Sequence, residues 1–208
     1  MNWTTVLALS IPASVALIGY LTTYFNNLLL AQRRDRLDRV NAQLSGFYGP
    51  LLALRSAEEA TWQAFRKNHR LHLPPDPWAD FLTTNSDSDE AKKWRLWITE
   101  VFMPLNIRMM EIITTNTHLI EEPEMPQCLL DLCAHVEGYR PIVKQWANND
   151  FTYNKPVVLF PDEVDEYIRR SFRDLKADQA LLLGLLRRGF LRRRPSGSPT
   201  RHPRSPNL

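Results

Sequence analysis

The first 32 residues contain no charged side chain, and four arginines stand within the next seven positions. The most apolar part of this run extends from about Val6 to Phe25. An uncharged run of this length exceeds the roughly 20 residues that a helix needs to cross a bilayer. Pro12 is acceptable there because lipid-embedded helices can satisfy the freed carbonyl locally. The pattern predicts a single transmembrane anchor over residues 1–32, with the lipid bilayer as its partner.

Basic residues on one flank of the apolar run predict the orientation of this anchor. They are Arg33, Arg34, Arg36 and Arg39. Because such residues remain on the cytoplasmic side, we expect the N-terminus outside and the remainder of the chain in the cytoplasm. A cleaved signal peptide is disfavoured, since residues 1–5 carry no positive charge.

Beyond the anchor, apolar positions recur at helical spacing, and glycine and proline divide the pattern into segments. Residues 33–49 carry one apolar stripe and predict a helical stalk, which Gly46, Gly49 and Pro50 bring to an end. Residues 50–190 repeat the helical pattern several times. They predict a cytoplasmic domain built as a bundle of about four to five helices.

Prolines mark the expected starts and breaks of these helices. Pro50, Pro126 and Pro161 suit the first turn of a helix, where a missing N–H costs little. Pro104 lies inside a longer helical pattern and is expected to kink or divide it. The only strand-like run is residues 157–160, so the predicted fold class is all-α.

Tryptophan is frequent in the predicted cytoplasmic domain. Core packing is the expected role of these side chains, and a partner-binding groove is the alternative. The residues are Trp62, Trp78, Trp94, Trp97 and Trp146.

The basic charge of the chain is concentrated at its C-terminus. The net charge is +3, yet residues 187–208 hold seven arginines and no acid. The rest of the chain therefore carries a net charge of −4, from 19 Lys and Arg against 23 Asp and Glu. Residues 191–208 are rich in Arg and Pro and predict a disordered tail.

Apolar side chains interleave with the first of these arginines, which is typical of segments that bind anionic lipid headgroups. The predicted interface residues are Arg187, Arg188, Phe190, Arg192, Arg193 and Arg194, together with the four arginines that flank the anchor. An acidic protein partner is the alternative target. Nucleic acid is disfavoured, because no nucleic-acid-binding motif accompanies the arginines.

The sequence holds no motif of recognised catalytic mechanism. A glycine-rich phosphate loop, H-E-x-x-H, C-x-x-C and G-x-S-x-G are all missing, which disfavours the common nucleotide, zinc and serine-hydrolase classes and predicts no cofactor. Cys128 and Cys133 are expected to pack as small hydrophobes. Glu58 interrupts an apolar stripe, and we expect its carboxylate to reach solvent at the edge of that stripe.

One polar cluster nevertheless suggests an enzymatic alternative. His118, Glu121 and His135 lie on neighbouring helical segments and are residue types that bind divalent metals. If the segments face each other, these residues predict metal-assisted hydrolysis. The simpler interpretation is a histidine at a helix C-terminus beside a solvated acidic turn.

Together these features predict a single-pass membrane protein whose cytoplasmic helical domain is an interaction or regulatory module. In this hypothesis the anchor restricts the domain to the membrane, and the tail docks to anionic lipid or to an unidentified protein partner. A third possibility is an oligomeric, membrane-active effector. Pro12, Ser14 and Gly19 permit close helix contacts in that case, although no G-x-x-x-G is present.

Overall fold

The computed structural model describes residues 3–68, 81–82 and 84–184, with side chains from residue 15 onward. The predicted tail, residues 191–208, lies outside the described residues, as does Trp78. Within the described ranges the chain is helical and contains no strand, which confirms the predicted all-α class. Residues 157–160, the strand-like run, lie in a loop.

Among the residues that the structure describes, two π-helical turns join four of the α-helices into two long rods. The first π turn, Leu44–Tyr48, connects α1 to α2, and the second π turn, Ile98–Phe102, connects α3 to α4. The helices are α1 (Trp3–Gln43), α2 (Gly49–Asn68), α3 (Asp89–Trp97), α4 (Met103–Thr115), α5 (Gln127–Ala147) and α6 (Glu163–Leu182).

The helices pack as a four-rod bundle. α2 packs against α4 and α6, α5 packs against α4 and α6, and the C-terminal part of α1 lies along α6. The prediction of a helical bundle is therefore confirmed, and the bundle has about four helical rods. α6 begins beside α2 and ends beside α1. It therefore runs antiparallel to the rod that α1 and α2 form.

No helix in the part of the chain that the structure describes is long and apolar enough to cross a membrane. Residues 1 and 2 and the side chains of residues 3–14, where much of the predicted anchor falls, lie outside that description.

The predicted helix break at residues 46–50 is wrong, because α1 continues into α2 through the first π turn. Pro50 has no N–H, and inside a regular helix its ring would clash with the carbonyl four residues earlier. The wider turn, in which the Gly49 N–H donates to the Leu44 carbonyl, accommodates the proline. Residues 33–49 are therefore part of the bundle rather than a separate stalk, and Val40 and Phe47 are buried in its core.

Pro104 is accommodated by the same arrangement. The Met103 N–H donates to the Ile98 carbonyl across the second π turn, and the proline follows one residue later. Pro104 was expected to kink or divide the helical pattern, and the helix instead continues past it through the second π turn, as it does at Pro50. In both rods the proline is the second residue after a five-residue π turn.

The other helix boundaries follow local signals. Pro126 is the residue just before α5, and Pro161 lies two residues before Glu163, where α6 begins, so both helices start close to the predicted prolines. Acidic side chains fill the first turn of α6, where they complement the positive end of the helix dipole. Gly184 has a φ of +74°, a left-handed conformation that ends α6 and that glycine adopts without strain.

The core has an aliphatic part and an aromatic part. The aliphatic part surrounds Phe47, Leu51 and Met109. In the aromatic part, Phe65 is enclosed by a ring cluster on α2, α3 and the second π turn. The rings around it are Trp62, Trp94, Trp97 and Phe102. Trp146 is buried in the core, and Trp62, Trp94 and Trp97 are partly buried against it, which agrees with the expected core role.

We expect Gly49→Ala to destabilise the protein by about 1–3 kcal/mol, the usual range for overpacking. A Cβ at this position would overlap the carbonyl oxygen of Leu44, which the π turn holds in place. The matched control is Gly138→Ala inside α5, where the new Cβ meets its nearest atom, on Pro156, at 3.7 Å. That control should be neutral or more stable, because alanine favours helix. Thermal denaturation of both variants tests this, and equal melting temperatures would contradict it.

Candidate functional site

The most unusual surface of the molecule is residues 15–30 of α1, called here the apolar segment. Its large apolar side chains are 41–67% exposed and cover every side of the helix. They are Val15, Leu17, Ile18, Tyr20, Leu21, Tyr24, Phe25, Leu28, Leu29 and Leu30. A surface helix of a globular domain normally buries one apolar stripe and exposes a polar face, so this segment lacks the expected polar face.

The threonine hydroxyls of the apolar segment bond within the helix itself. Thr22 Oγ1 donates to the Ile18 carbonyl at 2.8 Å, and Thr23 Oγ1 donates to the Gly19 carbonyl at 2.9 Å. These bonds allow the two side chains to enter a non-aqueous environment without losing a hydrogen bond.

Three of the arginines predicted to lie at a membrane interface bind other parts of the protein. Arg33 donates from Nε to the Leu182 carbonyl at 2.7 Å, and a second guanidinium N–H donates to the same oxygen. The arginine thereby satisfies an end carbonyl of α6 and complements the negative end of its dipole.

The other two contacts lie further along α1. Arg36 pairs with Asp178 at 3.1 Å, and Arg39 donates to the His118 carbonyl at 2.7 Å. The fourth arginine, Arg34, is exposed. All four therefore lie at the end of the bundle from which the apolar segment projects.

The C-terminal part of the chain departs from this same end. A Cβ built on Gly184 would lie 3.7 Å from the Arg33 guanidinium, and Leu181 and Leu183 are exposed beside it. The predicted lipid-binding residues of the tail lie outside the described residues. They are Arg187, Arg188, Phe190, Arg192, Arg193 and Arg194.

A second candidate site is a polar cluster inside the bundle, between α2, α4 and α6. Arg55 faces three carboxylates: Glu59 at 3.1 Å, Glu58 at 3.4 Å and Asp165 at 3.5 Å. Its guanidinium also lies 5.0 Å from the centre of the Phe160 ring. The cluster therefore places one guanidinium among three acidic side chains.

Glu58 is the most buried member of this cluster, with 6% of its surface exposed. Burial raises the pKa of its carboxyl to about 7, although the Arg55 charge and a hydrogen bond from Asn106 act in the opposite direction. The expectation that Glu58 reaches solvent is wrong, because α4 and α6 cover it. Its position four residues from both Leu54 and Trp62 was the sequence signal for burial.

A cleft of about 220 Å³ opens between the first π turn, α6 and the acidic turn after α4. Tyr48 and Glu122 line it, and both contact Tyr167: the Tyr48 and Tyr167 hydroxyls are 3.0 Å apart, and Tyr167 donates to Glu122 at 3.2 Å. Burial raises the pKa of both phenols. The cleft lining also includes Glu121, Arg170, Ser171, Asp174, Leu175 and Asp178.

The structure does not assemble the predicted metal ligands. His118 is exposed on a short 3₁₀ turn, and Glu121 lines the cleft. His135 is buried on α5, with Nδ1 2.9 Å from the Val158 carbonyl and its ring between Tyr139 and Phe160. Among the residues whose placement is described, no group of three or more His, Cys, Asp or Glu side chains could hold a metal ion.

Comparison with known proteins yields no match. No family model, no curated protein and no solved structure matches this chain. The function is therefore inferred from the geometry of the two candidate sites.

We expect Arg33→Ala to loosen the end of α6 and to lower stability by about 1 kcal/mol, because it removes a charged donor from a helix C-terminus. Amide hydrogen exchange of residues 179–184 should become faster. The matched control is Arg34→Ala, a neighbouring exposed arginine, which should change stability by less than about 0.5 kcal/mol. Equal exchange rates in the two variants would contradict the assigned contact.

Proposed function

We propose that this protein is a membrane-tethered helical interaction module, with the apolar segment in the bilayer and the bundle on the cytoplasmic face. One observation carries the proposal: the apolar segment exposes large apolar side chains on every side of a helix that stands outside the bundle core. Contiguous exposed apolar surfaces above a few hundred Å² mark sites of membrane or protein contact.

The length of the uncharged helix supports a bilayer over a protein groove as its environment. Residues 3–32 belong to α1 and carry no charge. At 1.5 Å per residue they extend about 45 Å, which exceeds the roughly 30 Å of a bilayer's hydrocarbon core. A protein groove would cover one face of the helix, whereas a bilayer surrounds every face.

The positions of polar and basic groups support the orientation. Asn26 and Asn27 follow the aromatic side chains Tyr24 and Phe25, which suits the headgroup region. Arg33 lies about 10 Å further along the helix, by the same rise per residue, with the other arginines beyond it. Basic residues on this flank favour the cytoplasmic side for the bundle.

The C-terminal tail supplies a second membrane contact in this proposal. Because Arg33 holds the end of α6 beside α1, the chain enters the arginine-rich residues at the bundle end that faces the membrane. Each arginine near an anionic surface contributes on the order of 1 kcal/mol. The anchor holds the tail close to the headgroups, so its effective concentration there is high.

The opposite end of the bundle offers a surface for a protein partner. The loop before α6 exposes Val157 and Leu159, while side chains of α5 form hydrogen bonds with its backbone. The internal contacts are His135 to the Val158 carbonyl, and Trp146 Nε1 donating to the Tyr153 carbonyl at 2.8 Å. An ordered loop with outward apolar side chains supports an interaction role.

We expect the double variant Leu17→Arg/Leu21→Arg to move the protein from the membrane fraction to the soluble fraction. Each arginine near the centre of the span costs about 3 kcal/mol of insertion free energy. The matched control is Leu96→Arg on α3, since Leu96 and Leu17 are both 58% exposed. The control should stay with the membrane after alkaline extraction. Wild-type protein that is fully soluble, or a double variant that still resists extraction, would refute the proposal.

We expect the tail to protect the end of α6 when anionic lipid is present. Full-length protein and a variant that ends at Leu186 are each placed in nanodiscs of neutral or anionic lipid. Amide exchange of residues 181–184 should slow in the full-length protein on anionic lipid only, and high salt should reverse the effect by screening. An identical response of the truncated protein would assign the contact to another part of the chain.

A further inference from the structure

The polar cluster around Glu58 contains more acids than bases. From its own helix, Arg55 and Glu59 face it, and from α6 Asp165 faces Arg55 and accepts from Arg169 at 2.8 Å. Three carboxylates thus share two guanidinium groups, and α4 contributes the neutral Asn106. Burial of unbalanced charge is unfavourable, so one carboxyl of the cluster is better accommodated with a proton.

Among the three carboxyls, Glu58 is the one whose burial most favours the protonated form. The side chains of Asp165 and Glu59 remain 31% and 37% exposed, whereas that of Glu58 is 8% exposed. The closest partner of Asp165 is Arg169, and that of Glu59 is Gln63, which donates at 2.6 Å. The other two carboxylates are more exposed and have donors within 3.1 Å, whereas the Arg55 donor to Glu58 is 3.4 Å away.

Asn106 supplies a second, geometric observation. The Asn106 side chain lies near enough to the Glu58 carboxyl to lower its pKa, and it is 3% exposed. Its own Oδ1 is buried and has no hydrogen-bond donor among the described residues. A carboxylic acid and a primary amide form a pair of hydrogen bonds when the acid is protonated. The amide N–H then donates to one carboxyl oxygen, and the acid O–H donates to the amide oxygen. A proton on Glu58 supplies the donor that Asn106 Oδ1 lacks.

We propose that Glu58 and Asn106 form a proton-dependent latch between α2 and α4, closed when Glu58 carries a proton and open when it is ionised. Ionisation removes the donor to Asn106 Oδ1 and leaves a carboxylate that is drawn toward Arg55. The latch lies two residues after Pro104, where the second π turn and the missing proline N–H already weaken the helical hydrogen bonding of this rod. Opening therefore loosens α4 against α2.

The pKa of Glu58, raised to about 7 from an ordinary value of 4.5, places the transition near neutral pH. The native state binds this proton more tightly than the unfolded chain does. The contribution of Glu58 to stability is therefore complete below about pH 4.5 and is lost as the pH rises through about 7. The inference concerns the interior of the bundle and does not depend on membrane attachment.

Hydrogen exchange of the full-length protein in detergent tests the latch. Amides of Met103–Thr115, corrected for intrinsic rates, should exchange roughly tenfold faster at about pH 8 than at about pH 6, since two pH units span the transition. Glu58→Gln is isosteric and neutral at all pH values, so its corrected exchange should not change with pH. The matched control is Glu59→Gln, which removes another carboxylate bound by Arg55 and should retain the wild-type response.

A third variant separates a latch from a simple effect of buried charge. Asn106→Ala removes the amide, so exchange in α4 should be fast at both pH values. Carbon-13 NMR should show the Glu58 carboxyl titrating near pH 7 in the wild-type protein. The proposal is overturned if Glu58→Gln keeps the wild-type pH response, if Asn106→Ala keeps it, or if the carboxyl titrates close to the ordinary value of 4.5.

Discussion

A proline inside a helix lacks an N–H and clashes with the carbonyl one turn earlier, and the architecture of this protein depends on how that constraint is met at Pro50 and Pro104. Pro141, by contrast, lies within the α-helix α5. At Pro50 and at Pro104 the chain widens into a π turn instead of ending the helix. Two continuous rods result, and α5 and α6 pack against them. Because α1 and α2 form one rod, the apolar segment is rigidly connected to the bundle rather than joined by a flexible linker.

This continuity links the two ends of the molecule. At one end, Arg33 joins the base of the apolar segment to the last turn of α6. In the interior, Arg55 and Glu58 on the same rod meet α4 and α6. The packing of α2 against α4 and the apolar segment therefore belong to the same continuous rod. The proposed tether and the proposed latch share this one structural element.

Much of the fold was predictable because its signals are local. Helical periodicity identified the all-α class, and the residues after Pro126 and Pro161 begin helices as expected. The break expected at Pro50 failed because Gly49 permits a π turn, whose stability depends on packing around buried Phe47 and Tyr48. Periodicity within one segment carries no information about such contacts.

The sequence by itself determined the uncharged N-terminal run, the basic tail and the helical class, since charge and periodicity are properties of the chain. Tertiary structure decided the roles of individual polar residues. It brought Arg33 to the end of α6, buried Glu58 beside Asn106, and separated His118 from buried His135. These outcomes depend on which helices are neighbours. Helix neighbours are set by contacts between residues far apart in sequence, and no local pattern specifies those contacts.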